Sequence, residues 1–336
     1  MRHAAIEFAE CLNREWKVAS RFDGIVASGM MNVAEFRGLL AKPLRDIPIV
    51  VYLHENQLAY PNRFIDTRDL HFAFTNFTSC LAADAVWFNS EFNRQSMVDG
   101  LREQAVHWPD YSPIASIEIL ADAGKIQHPG LDIPDSWPGK PPALDAPLQI
   151  TWAARWEHDK DPAGLLKVLS GLQAHQSEFE LHIIGEQYSE IPTEFDTIKD
   201  QFESQISTWG YLPERTDYWR VLNQSDVIVS TAVHEFFGIS VCEGLAAGLT
   251  AILPNRLAYP EIARAFSEPG PSRIWLYDSY DQATRSLLKA IRFRRQLRED
   301  RQVNSCNLIR DKLRWSKRGA ELDLAVSEVI LNGRST

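Results

Sequence analysis

The sequence predicts an α/β protein of two doubly wound domains, and three observations predict it. Short apolar runs alternate with longer stretches of helical period. Those runs are apolar at successive positions, as strands covered by helices on both faces of a parallel sheet must be. A proline-rich stretch divides the 336 residues into two lengths that each suit one domain of about 100–200 residues.

The chain opens on a helix-like segment, MRHAAIEFAECLNREW. A doubly wound domain ordinarily opens with a strand and a tight turn facing the ligand, so the first domain is expected to lack its opening strand. Strands are expected at Gly24–Ala27, Pro48–Leu53 and Ala85–Asn89, then at Leu148–Ala153, Leu181–Ile184, Asp226–Ser230, Thr250–Leu253 and Ile274–Leu276. Helices are expected between them, at Asn32–Leu40, Arg68–Ala82, Glu91–Leu101, Pro162–His175, Arg215–Asn223, Phe237–Ala247 and Tyr280–Arg301. Between His128 and Pro147 stand Pro129, Pro134, Pro138, Pro141, Pro142 and Pro147. Proline has no amide donor and a fixed φ, so this stretch is neither a central strand nor a helix interior. The expected division is an N-terminal domain over 1–135, a linker over 136–147 and a C-terminal domain with terminal helices over 148–336.

The composition, 45% hydrophobic and 24% charged, is that of a globular protein. No apolar run approaches the roughly 18–20 residues that span a bilayer. The charged N-terminus lacks the apolar core of a signal peptide. A cytoplasmic protein with no membrane span is expected. The cysteines Cys11, Cys80, Cys242 and Cys306 form no CxxC pair, which removes the common zinc and thioredoxin-like motifs. Cys80 and Cys242 lie in apolar helical surroundings and are expected to be buried and inert. The sequence carries no signal for oligomeric state. The net charge of −10 excludes a protein that is basic all over, yet residues 285–318 are dense in Arg and Lys. Two readings of that segment stand level, a solvated helix face and a footprint for a polyanion such as RNA.

Three stretches carry chemistry. In STAVHEFFGISVCEGLAAG, Ser230–Gly248, a strand ends, a loop holds Glu235, and an apolar helix begins near Phe237 or Gly238. A helix start above a strand's carboxyl edge aims amides at an anion and favours phosphate. Gly238 lets a ligand approach the backbone. Glu243 lies about two turns into the helix, among apolar neighbours where a carboxylate needs a partner. In TWAARWEHDKDP, a strand delivers Arg155 and Lys160 to the same edge, a planar fork and a point charge suited to a diphosphate. Asp161 is placed to cap the next helix, with Pro162 in its first turn. In VVYLHENQLAYP, His54 and Glu55 directly follow a buried strand. No nucleophile–His–acid set and no Walker motif stands out, and nothing visible requires a divalent ion.

Together these residues resemble a known family. Glu235 and Glu243 resemble the E-x7-E signature of retaining GT-B glycosyltransferases, and Arg155 with Lys160 resembles that group's diphosphate pair. HENQLAYP, RWEHDKDP, WGYLPERTDYWRVL, HEFFG and LAYPEI together are similar to the tRNA-queuosine alpha-mannosyltransferase family, in blocks from about Met1 to Ile262. The resemblance implies a GT-B architecture, two Rossmann-like domains facing a central cleft, with a nucleotide sugar, GDP-mannose, as co-substrate. It implies queuosine in the anticodon of a tRNA, tRNA-Asp, as acceptor, and no metal cofactor. By the same carry-over the catalytic set is His54, Glu235, Arg155 and Lys160. The donor-binding set is Arg155, Lys160, Tyr211, Leu212, Glu235, Phe236, Phe237, Gly238, Ile239, Ser240 and Glu243. His54, Glu55 and Asn56 form the acceptor side. Family members begin with a strand and a Gly-Gly-Ser-His-like loop ahead of the segment matching Met1, and this sequence has neither. Two alternatives stay open. One is a glycosyltransferase acting on a lipid, glycan or small metabolite, for which the apolar residues of Arg285–Arg301 would supply a membrane-facing helix. The other is a truncated nucleotide- or RNA-binding protein without turnover.

Overall fold

The computed structural model describes residues 3–15, 22–59, 71–108, 111–188, 190–266, 272–303 and 307–333. The chain forms two compact units, residues 1–129 with 316–336, and residues 130–315.

The first unit holds a parallel sheet of β1 (Ile25–Ser28), β2 (Ile49–Leu53), β3 (Ala85–Phe88) and β4 (Lys125–Ile126), in that order. Helices α1 (Ala4–Arg14), α2 (Val33–Leu39), α3 (His71–Ala82), α4 (Glu91–Ala105) and α5 (Ile114–Ala123) accompany it. Local chemistry sets their starts. Asn32 caps α2 by accepting the Glu35 amide at 3.1 Å, and Ser90 caps α4 by accepting that of Asn93 at 2.9 Å. All five residues of β2 are buried, because each face has its own cover. Ile49, Val51 and Leu53 enter one core with Phe36, Phe77 and Met97. On the other face Val50, Tyr52 and Trp87 meet Leu322, Ala325, Val326 and Val329 of the C-terminal helix Trp315–Gly333.

That helix corrects the expected division, which placed the chain's end in the C-terminal domain. Its apolar residues fall at i, i+3, i+4 and i+7, a stripe that must be buried somewhere. The open face of the first sheet receives it. Arg318 fixes the return by donating to the His128 carbonyl and to Gln127 Oε1, each at 3.0 Å.

The second unit is a six-stranded parallel sheet in the order β10-β9-β8-β5-β6-β7. Its strands are β5 (Leu148–Ala153), β6 (Phe179–Ile184), β7 (Ile206–Gly210), β8 (Val227–Val229), β9 (Thr250–Pro254) and β10 (Ile274–Tyr277). Counted from β5 as the first, this is the 3-2-1-4-5-6 order of a Rossmann domain. The helices are α6 (Pro162–Ala174), α7 (Glu194–Gln201), α8 (Arg215–Gln224), α9 (Ile239–Ala246), α10 (Tyr259–Ala265), α11 (Tyr280–Arg292), α12 (Arg294–Val303) and α13 (Asn307–Leu313). Two cores sandwich the sheet, one around Trp152, Leu169 and Phe195 and the other around Trp219, Leu245 and Ile262.

The eight expected strands are present, each within two residues of its expected ends. Strands β4 and β7 were not expected. The first has two residues, and the second is an edge strand whose polar positions break the apolar run. The expected helix Tyr280–Arg301 is two helices that meet at Phe293. The expected helix Arg68–Ala82 begins outside the described residues, as do Tyr60 and Pro61 of the third stretch, and Cys306 lies outside them too. Cys80 and Cys242 are buried, and burial raises both thiol pKa values. Among the described residues no helix is long and apolar enough to cross a membrane.

The stretch expected to be a linker is part of the second unit. Just before it, Leu131 and Ile133, expected in the N-terminal domain, also belong to the second unit and enter its core, and Trp137 packs edge-on against Trp219 at 5.4 Å. A proline-rich backbone offers carbonyls with few amides to match, and Arg298 satisfies them. Its guanidinium donates to the carbonyls of Ala143, Leu144, Ala146 and Pro147 and to both carboxylate oxygens of Asp226. The ion pair is almost wholly buried, 4% and 2% exposed. Arg301 and Arg310 likewise donate to the carbonyls of Ser225 and Ala246. Much of the basic segment therefore holds the fold. Arg298→Ala should lower the unfolding free energy by about 3–5 kcal/mol in urea titrations, since it strands a buried carboxylate. Arg295→Ala, at a side chain 66% exposed, should change it by less than about 0.5 kcal/mol.

Candidate active site

In the second unit the chain runs outward from β5 through β7, then returns to lay β8, β9 and β10 on the other side. Loops leaving β5 and β8 must part at this reversal, and the crevice between them is where open α/β sheets bind ligands. A cavity of about 620 Å³ opens there. Arg155 and Lys160 line it after β5, Gly185 and Glu186 after β6, Tyr211, Leu212 and Arg215 after β7, and Glu235 after β8. Ile239, Ser240 and Glu243 of α9 complete it. Gly185 is required by close approach, because a Cβ there would stand 1.7 Å from the Ala154 carbonyl oxygen.

Lys160 joins the two sides of the crevice. Its ammonium donates to the His234 carbonyl at 2.8 Å and lies 3.4 Å from Glu235 Oε2 and 3.1 Å from Asp159 Oδ2. The side chain is 9% exposed. The Asp159 carbonyl accepts the amides of Val233 and His234 at 2.9 and 3.2 Å, so the same two loops are also tied through backbone. Asp161 then turns the chain into α6 with φ of +51°, a rare value for a non-glycine residue. Its carboxylate supports the turn by capping Gly164 N at 3.0 Å and accepting the Tyr280 hydroxyl. Arg155 is more exposed and pairs with Glu157 at 3.2 Å.

Glu235 and the start of α9 form the opposite wall. Gly238 holds φ of +87°, a conformation that costs other residues strain, and it opens α9. Glu235 Oε1 accepts the amides of Gly238 and Phe237 at 3.0 and 3.3 Å. The Gly238 amide, expected to face a ligand, is therefore occupied by the protein's own carboxylate. Among the described residues the amides of Ile239 and Ser240 have no hydrogen-bond acceptor. Phe236 and Phe237 are buried and do not line the cavity, so only their backbone could meet a donor.

Glu243 does have the partners its apolar surroundings demand. Arg215 donates to Oε1, and the Tyr218 hydroxyl donates to Oε2 at 2.6 Å. Burial raises the carboxyl pKa and the two donors oppose that rise. Arg215 stacks over Tyr218 and Trp219 at 4.6 and 5.0 Å, which orients its fork. Neither Arg215 nor Tyr218 was among the expected site residues. They sit on another helix, 28 and 25 positions before Glu243, and the available signal was the need of a buried glutamate for donors.

His54, Glu55 and Asn56 lie in the first unit, just past β2. The exposed His54 ring packs on Tyr52 at 4.2 Å, and the desolvation there lowers its pKa. Asn56, expected to touch an acceptor, is 1% exposed and committed to the fold. It donates to Asn93 Oδ1 at 2.9 Å and accepts the amides of Leu58 and Ala59. A buried amide spends its hydrogen bonds on its surroundings, which corrects that assignment.

Compared with solved structures, the chain matches Anabaena HepE in complex with UDP with a TM-score of 0.68 at 12% identity, over 96% of this chain and 83% of that one. It matches sucrose-phosphate synthase from Thermosynechococcus elongatus at 0.64 and 13%, over 98% and 80%. These likenesses show the GT-B fold. Residues 135–301 match the family model of glycosyl transferases group 1, so the class is glycosyltransferase. Residues 1–131 match the model of the tRNA-queuosine alpha-mannosyltransferase N-terminal region. The chain is also 33% identical over 309 residues to the tRNA-queuosine alpha-mannosyltransferase of Drosophila melanogaster, covering 89% of this chain and 78% of that protein. It belongs to the tRNA-queuosine alpha-mannosyltransferase family.

Two histidines of the second unit make its stability depend on pH. His234, beside Lys160, and His182, bonded to Thr208 and Gln149, are both lowered from 6.5 to about 4, chiefly by burial. Above pH 6.5 they are neutral folded or unfolded and contribute no slope. Between pH 6.5 and about 4 the unfolded chain takes up their protons first, so stability falls with pH. Urea titrations across that window should show a loss of up to about 3 kcal/mol per histidine. His182→Gln should flatten part of the slope.

Proposed function

We propose that this glycosyltransferase transfers mannose from GDP-mannose to queuosine in tRNA with retention of configuration. Family membership supports the chemistry. The observation that carries the site is the convergence of Arg155, Lys160, Glu235 and the unpaired Ile239 and Ser240 amides on one cavity at the sheet reversal.

The donor diphosphate is the leaving group, so the site's task is to stabilise its growing negative charge. Arg155 and Lys160 supply fixed cations, and the first turn of α9 supplies amides and the positive end of its dipole. The lining carboxylates Glu186, Glu235 and Glu243 offset much of the cationic charge, which makes those amides more than an accessory. Glu235 suits the hydroxyls of the donor sugar. Glu243, held by Arg215 and Tyr218, suits the ribose hydroxyls. Tyr211, 60% exposed, flanks the base with Leu212. In the step itself the bond from the anomeric carbon to the phosphate oxygen breaks. The acceptor hydroxyl attacks the face the diphosphate vacates, and its proton passes to the departing phosphate oxygen. No protein nucleophile is needed.

Transfer is tested by mass spectrometry of tRNA nucleosides after incubation with GDP-mannose, the expected product being mannosyl-queuosine. Arg155→Ala should lower turnover by about 10²-fold or more, as loss of a charge-stabilising group does. Lys160→Ala should do the same and also destabilise the fold, because it strands Asp159 and the His234 carbonyl. Near-normal rates in both would remove the diphosphate site. In this reading protein groups alone neutralise the diphosphate. Chelator should therefore leave the rate unchanged, and a loss restored by Mg²⁺ would overturn that part.

A further inference from the structure

The basic segment from Arg285 onward contains cations that the fold does not tie by hydrogen bonds or ion pairs among the described residues. Arg294, Arg298, Arg301, Arg310 and Arg318 all donate to backbone carbonyls. By contrast Arg285, Lys289 and Arg292 are exposed, and none makes a hydrogen bond or ion pair among the described residues. At 100° per residue they lie within about 60° on one face of α11. Their axial span is about 10 Å. Asp281, at the first turn, is the only acid of that helix.

Two further observations say what this face can meet. Aromatic rings lie beside the cations, with Lys289 over Trp275 at 4.7 Å and Arg292 over Phe293 at 5.4 Å. Phe293 is 42% exposed. The apolar face of α11, which would be needed to enter a bilayer, is already consumed. Ala283, Leu287 and Ala290 are fully buried in the core, and Leu288 and Ile291 pack against it. The exposed side therefore offers charge and aromatic edges without an apolar insertion surface, a combination suited to a phosphate backbone.

We infer that the Arg285–Lys289–Arg292 stripe, none of whose residues lines the donor cavity, is a docking surface for the sugar-phosphate backbone of the tRNA acceptor. The inference rests on the tRNA reading above. A tRNA is far larger than the donor cavity, so an acceptor of that size has backbone to spare for contacts elsewhere on the protein. The stripe supplies sequence-independent affinity, and base recognition belongs to the transfer site.

The test compares the full chain with Arg285→Gln/Lys289→Gln/Arg292→Gln in filter binding to purified tRNA between roughly 50 and 200 mM salt. Loss of three phosphate contacts should reduce the log–log salt slope by about 2–3 and weaken binding by about tenfold or more at low salt. GDP affinity should not change, and thermal stability should fall only slightly, since the three side chains are exposed and give up cation–π contacts alone. In transfer assays the KM for tRNA should rise while kcat at saturating tRNA holds. Wild-type tRNA affinity and salt slope in the triple variant, with transfer intact, would overturn the stripe and leave the proposed function standing. A wild-type chain that binds GDP but neither binds nor modifies tRNA would overturn both. Loss of binding to phosphatidylserine vesicles with tRNA binding unchanged would reassign the face to membranes.

Discussion

The ammonium of Lys160 is the joint on which the cavity of the second unit depends. It is buried between the loop that leaves β5 and the loop that leaves β8, and it is held by the His234 carbonyl and two carboxylates. At the reversal of a doubly wound sheet these loops diverge, and no ladder hydrogen bond connects them. Lys160, with the backbone bonds from Val233 and His234 to Asp159, closes that gap and fixes its width. One cation thus positions Glu235, orients the turn into α9 and presents charge to the cavity. Its buried partners make it costly to remove for stability.

The same economy recurs elsewhere in the second unit. Arg298 compensates the carbonyls of a proline-rich stretch while pairing with Asp226. Arg215 and Tyr218 compensate Glu243, which would otherwise be a carboxylate stranded in an apolar helix. In each case a polar group needed at one place is supplied by an element distant in sequence. The result is a set of charges whose positions are fixed before any ligand arrives, the condition under which electrostatic stabilisation is most effective.

Much of this was legible in the sequence because it rests on local pattern. Apolar runs located the strands, since a strand covered on both faces cannot hide its composition. The sequence Asp161–Pro162 marked the start of α6, and Gly238 marked the start of α9, each through its own backbone preference. Arg155, Lys160, Glu235 and Glu243, which line one cavity, were picked out because strand ends and helix starts place ligands by rule. Edge strand β7 and two-residue β4 were not legible, since their pairing comes from neighbours and not from their own composition.

The sequence by itself determined the fold class, the strand-end location of the site and the resemblance that names the family, because each is written in contiguous residues. Only the tertiary structure decided which distant groups meet. It gave Glu243 its donors, gave the Gly238 amide to Glu235, enclosed Asn56, and carried the C-terminal helix back to the first sheet. It also sorted the arginines of one basic segment into those that bind carbonyls and those that face water. The physical reason is common to all of these. A buried polar group or apolar stripe states in sequence only that it needs a partner, and chain topology chooses which one it finds.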